Sequence, residues 1–171
     1  MKSTLKLVAI VLLGLFISCG GKEEKKKDSF SYEKKESSSE KSTAAPAKKV
    51  AASETINLTD KGVGPITSIE LGSEIDQSMA SHGKDIYNKM CTACHRPTKK
   101  FIGPAPLGIL DRRTPEWVMN MILNPEGMIQ KDLLAKDLLA EFNGAPMANQ
   151  NLSKEEARAV LEYFRTLKQP N

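Results

Sequence analysis

Cysteine is scarce in this chain: there are three in 171 residues. That excludes a disulfide framework as the source of stability. Histidine is scarcer still, with two residues. A structural zinc site needs four ligands. Beyond Cys91, Cys94 and His95 only Cys19 and His82 remain to complete one. No strong strand run lies beyond residue 75, so a C-x-x-C pair on a βαβ frame is excluded as well. No apolar stretch is comfortably long enough to span a membrane; Leu7–Ile17 falls short. The net charge of +4 does not mark a basic domain. Residues 20–49 hold nine lysines against six acids, and from Ile56 onward there are fourteen of each. A nucleic-acid-binding face is therefore not indicated.

What the sequence does contain is Cys91-Thr92-Ala93-Cys94-His95. The spacing C-x-x-C-H is that of covalent haem attachment. Two thiols three positions apart on one helical turn can reach the two vinyl groups along one porphyrin edge. The histidine that follows then sits beneath the iron as its ligand. Adjacent Cys94 and His95 suit a zinc ion poorly for the same geometric reason.

The amino terminus reads as an export signal. Lys2 and Lys6 precede the apolar run, which ends in Ser18-Cys19-Gly20-Gly21. The junction resembles the lipobox of bacterial lipoproteins, with Phe16 where that motif prefers leucine. The resemblance implies cleavage before Cys19 and lipidation of its thiol; an ordinary signal peptide or an uncleaved anchor is the alternative. Residues 1–18 are thus expected to be a signal and 19–55 a disordered tether rich in Lys, Glu, Ser and Ala. Such a composition buries too little apolar surface to offset the entropy of ordering. A flexible chain of about 35 residues spans roughly 30–35 Å on average. Segments before residue 55 are expected to make few contacts. Residues 56–74 alternate apolar and polar side chains around Gly62, Gly64 and Pro65, and read as an extended surface arm.

The rest, residues 75–171, is expected to be all-α. A first helix runs from about Asp76 into Cys91, with Gly83 as a point of close approach for another helix. Thr114-Pro115-Glu116 starts a second helix, which stops at Asn124-Pro125. Leu133–Phe142 marks another, ended by Asn143-Gly144. Ser153-Lys154-Glu155-Glu156 is a capping box opening the last. Tyr87 and the Tyr163/Phe164 pair are expected to meet where first and last helices cross.

Taken in order, these motifs resemble class I cytochrome c, an all-α fold of several short helices around one covalent haem c. The resemblance covers about Ile75 to Lys168. It implies that His95 is one axial iron ligand and a methionine before the last helix is the other. Met147, in Gly144-Ala145-Pro146-Met147, stands in that place. Met128, read as a loop residue, is its rival; His82 lies upstream on the first helix. The resemblance also implies that the Pro104 carbonyl, after Gly103, accepts from His95 Nδ1. Leu107 and Leu110 are expected to line the haem, and Trp117 to donate to a propionate or simply pack. Lys89, Arg96, Lys99, Lys100, Arg112 and Arg113 form a basic rim suited to an acidic redox partner.

The function so implied is electron transfer by a monomeric, periplasm-facing lipoprotein. The expected donor is a respiratory complex, and the expected acceptor a terminal oxidase or a reductase such as nitrous oxide reductase. A six-coordinate iron has no open position, so an enzyme is not expected. A haem-based sensor or a peroxidase with an open or labile distal position is the rival.

Overall fold

A computed structural model describes residues 50–168. The expected signal, Cys19 and the tether up to residue 49 lie outside the described residues. Within them the chain forms five α-helices and one 3₁₀ turn, with no strand beyond an isolated bridge between Asn57 and Arg113.

Side-chain caps set where the helices begin. Helix α1, Gln77–Met90, starts at Asp76, whose carboxylate accepts from the Met79 N–H at 2.9 Å. Gly108, at φ 62°, leads into the 3₁₀ turn Ile109–Asp111. Helix α2, Pro115–Leu123, is capped by the Thr114 hydroxyl at 3.1 Å from Trp117 N. Helix α3, Pro125–Lys131, follows at once. Helix α4, Leu133–Glu141, is capped by Asp132, which accepts from Ala135 N at 2.7 Å. Helix α5, Lys154–Thr166, opens on the full Ser153/Glu156 capping box.

Helix α3 corrects the expected loop around Met128. Pro125 ends α2 but suits the first turn of a new helix, since its missing N–H would be unpaired there. Gly127 is required because a Cβ would meet the Asn124 amide at 2.2 Å. Met128 is consequently fully buried.

Helices α1 and α5 cross at Gly83, where a Cβ would lie 1.9 Å from the Ala159 carbonyl oxygen. Tyr87 stacks beside the crossing, with ring centroids 5.4 Å from Tyr163 and 5.7 Å from Phe164. Glu162 is wholly buried there. Its carboxylate accepts from Arg158, from Arg165 at 2.6 Å and from the Asp76 N–H at 2.9 Å. Burial opposes its ionisation, but these donors outweigh burial and hold its pKa below the ordinary value.

The arm proves to be a strap bonded to α2 and α3. Buried Asn120 accepts from Ile66 N at 2.9 Å and donates to the carbonyls of Lys61 and Ile66, both at 2.9 Å. Asn124 donates to the Val63 carbonyl at 3.0 Å, and Val63 N–H donates to the Met128 sulfur at 3.0 Å. Lys61 pairs with Glu116 at 3.2 Å. Residues 51–55, expected to be tether, instead form a hydrogen-bonded turn. Ser53 donates from N and Oγ to Glu141 at 2.8 and 2.6 Å. The ordered domain therefore begins before the expected boundary at 55. With no sheet or helix of its own, the segment has its half-buried backbone groups met by distant side chains.

Candidate functional site

The turn after α1 continues its hydrogen bonding. Cys94 and His95 N–H groups both reach the Cys91 carbonyl, at 3.1 and 2.9 Å. This coil carries Cys91, Cys94 and His95 onto one wall of a cavity of about 560 Å³, ample for a large planar cofactor. Cys91 is half-buried and Cys94 exposed. Burial pushes the Cys91 thiol up to about 11.

His95 is fixed from two sides. Its Nδ1 lies 2.8 Å from the Pro104 carbonyl oxygen. A carbonyl only accepts, so Nδ1 carries the proton and the Nε2 lone pair is free for a metal. Gly103 lies flat against the ring: a Cβ there would come within 2.5 Å of His95 Cε1. No other residue fits beneath this histidine, and Gly103 N–H also donates to the Cys94 carbonyl at 2.9 Å.

The remaining wall is mostly apolar. Pro104, Leu107, Trp117 and Met147 lie on it, together with Ile109, Val118, Phe142 and Val160. Leu110 does not. It borders a small separate hollow beside Ile75 and Leu167. Successive residues of a 3₁₀ turn point about 120° apart, so the turn gives Ile109 to the cavity and turns Leu110 away. Met128 is absent from the wall because its sulfur is held by Val63. His82 is solvent-exposed on α1. Trp117 presents its ring to the cavity, and its buried Nε1 has no hydrogen-bond partner among the described residues.

Arg112 and Arg113, expected on the basic rim, both line the cavity, and Arg113 is only 1% exposed. Each Nε is buried without a partner. An adjacent pair of arginines is ordinarily a surface feature, and nothing in the local pattern marks these as buried. Their unpaired N–H groups suit the two carboxylates of a haem, and the apolar walls suit its macrocycle. The residues present thus fit the group.

The cytochrome c family model matches residues 80–168. The chain belongs to that family. It is similar to the solved cytochrome c from Rhodothermus marinus, at 42% identity over 68% of this chain and 93% of that one, with a TM-score of 0.60. An engineered form of that cytochrome gives 41% identity over 68% and 94%, TM-score 0.59. A further engineered form, bound to a carbene intermediate, gives 42% over the same shares, TM-score 0.57. No curated protein matches the chain. The fold is that of a class I cytochrome c, and the cofactor is one haem c attached through the Cys91 and Cys94 motif. Electron transfer by a haem protein is the function this domain carries.

Proposed function

We propose that this cytochrome c is a tethered electron carrier facing the periplasm, in which His95 and Met147 would hold the haem iron. The observation that carries the reading is that His95 and Met147 line the same cavity, while the Met128 sulfur accepts from Val63 N–H and His82 is solvent-exposed on α1. When bound, the haem supplies a one-electron Fe(III)/Fe(II) couple. The protein's residues do the rest. Pro104 orients His95 and fixes the tautomer that leaves its Nε2 lone pair free. The Met147 thioether, a soft donor, favours the reduced metal and raises the potential relative to a second histidine. Cys91 and Cys94 would hold the group covalently, independently of His95 and Met147.

Partners are proposed from the cavity mouth. Between Asp85 and Asp111 the chain carries Lys89, Arg96, Lys99 and Lys100 and no acid. Phe101 and Ile102 are about half exposed among them. An apolar patch in a basic rim suits acidic redox proteins on both sides of the transfer, a respiratory donor and a terminal oxidase or reductase. Membrane attachment through lipid on Cys19 is the proposed means of keeping the carrier near them. Among the described residues no helix is long and apolar enough to cross a membrane.

The rival, a sensor or peroxidase with a displaceable distal ligand, draws on one observation. From residue 146 to 152 the loop makes no hydrogen bond to any residue outside itself. Carbon monoxide added to the reduced holoprotein separates the two. A carrier keeps its spectrum; rapid, stoichiometric binding by wild type assigns the open-site reading. Fatty-acid labelling of wild type but not Cys19→Ala tests the anchor.

A further inference from the structure

We infer that residues 51–55 are a clasp belonging to the haem site: they hold Arg113 with its free N–H toward the pocket, where it binds one haem carboxylate while Arg112 serves the other. Arg113 is a buried cation without an ion pair. The ion pairs of the described residues involve Glu116 and Glu162 and leave it out. Instead its Nη1 donates to the carbonyls of Thr55 and, at 2.9 Å, Arg112; its Nη2 donates to the Ala52 carbonyl at 2.6 Å. Arg112 gives one N–H to the Leu107 carbonyl at 3.1 Å. In both residues the buried Nε is left over. Carbonyl dipoles satisfy N–H groups but do not cancel charge, and two uncompensated guanidinium groups side by side are costly. Burial, then the neighbouring Arg112 charge, depresses the Arg113 pKa, and Asp132, Asp60 and Glu141 offset this only through space. A carboxylate from the cavity side completes the set with a charge-assisted bond.

The clasp is built to keep that guanidinium in place. Its turn closes on itself, with Glu54 and Thr55 N–H groups donating to the Ala51 carbonyl at 2.9 and 3.0 Å. The carbonyls of Ala52 and Thr55 accept from Arg113, and Ser53 between them bonds Glu141. Asn57 N–H then donates to the Arg112 carbonyl at 2.9 Å. Ser53 and Glu54 themselves sit on the cavity wall. The clasp therefore bridges the two arginines and the end of α4, and screens the polar edge of the site from water. Exclusion of water and a nearby fixed cation both favour the less positive Fe(II) state, so the root of the tether tunes the potential.

The inference rests on the presence of covalent haem, which is scored separately by haem staining of the denatured holoprotein. In stained holoprotein, Glu141→Ala removes both acceptors of Ser53. Amide exchange of residues 52–55 is expected to rise at least tenfold and the midpoint potential to fall. A chain shortened to begin at Asn57 is expected to lower it further in the same direction, and Arg113→Lys to lower it with the clasp amides also faster. Ser53→Ala, a milder change, decides the matter if Glu141→Ala does not mature. A drop in thermal stability with an unmoved potential in Ser53→Ala and in the shortened chain overturns the proposal and leaves the segment purely structural.

Discussion

Two irregular segments lie against the helices, and they are fixed by opposite means. The clasp and the arm that follows it, together residues 51–69, hand their backbone groups to Arg113, Asn120, Asn124, Met128 and Glu141. The loop that carries Met147 hands over none between 146 and 152. It is pinned at its ends by Gly144 and Ser153, and Met147 and Leu152 pack on the core. A segment without secondary structure can thus be rigid through borrowed side chains, or left free until a ligand bond closes it. The arm is scaffold. The loop rests on the packing of Met147 and Leu152 against the core.

Asn120→Ala tests the arm most severely. It leaves three backbone groups of the arm without their partner, and is expected to cost about 3 kcal/mol by denaturant unfolding of the holoprotein. Exchange in the Met147 loop should not change. Met147→Ala reverses the pattern. Loop amides are expected to exchange at least about tenfold faster, which is about 1.4 kcal/mol of local stability, while the arm stays protected. The weak red sulfur-to-iron band should vanish and the potential should fall. Protection of the loop that survives this substitution breaks the contrast.

Acid titration probes the junction of arm and α4. Burial, with the neighbouring Asp60 carboxyl, raises the pKa of Asp132 despite the opposing bond from Ala135 N. The native state therefore binds a proton more tightly there than the unfolded chain does. That contribution is present at low pH and is lost as pH rises from the ordinary aspartate value through the raised one. Asp132→Asn keeps the helix cap and is expected to flatten this slope in unfolding measured against pH. Gly144→Ala should do least. Gly144 has φ 73° and nothing within 4 Å of an added Cβ. Only backbone strain remains, about 1 kcal/mol, read as a small drop in melting temperature.

Much of this molecule was legible in local patterns. Asp76, Thr114 and Ser153 announced their helices because a cap is a contact within three residues. The pentapeptide from Cys91 to His95 announced the site for the same reason. Met147 was placed by order along the chain, and it does lie on the cavity wall. What failed was non-local. The arm binds residues more than fifty positions away, so its own composition said only that it was extended. Arg113 was hidden because a charge reads as surface until three carbonyls and a buried wall surround it. Leu110 and Ile109 were exchanged by a single step of a tight turn. Met128 lies in a helix where a loop is expected, because Pro125 stops one helix as readily as it starts another.

The crossing at Gly83 has a kinetic consequence. Helices α1 and α5 meet across almost the whole domain: the Asp76–Glu162 bond joins residues 86 positions apart. Such a contact forms only after a long ring closes, and ring closure of this span is entropically slow. The attachment pentapeptide leaves α1 directly, whereas α5 is the last of the described helices in chain order. A chain growing or crossing a membrane from its amino terminus exposes both thiols and the histidine well before the far side of the pocket exists. Attachment can precede enclosure, and the final helix then docks onto a core already filled.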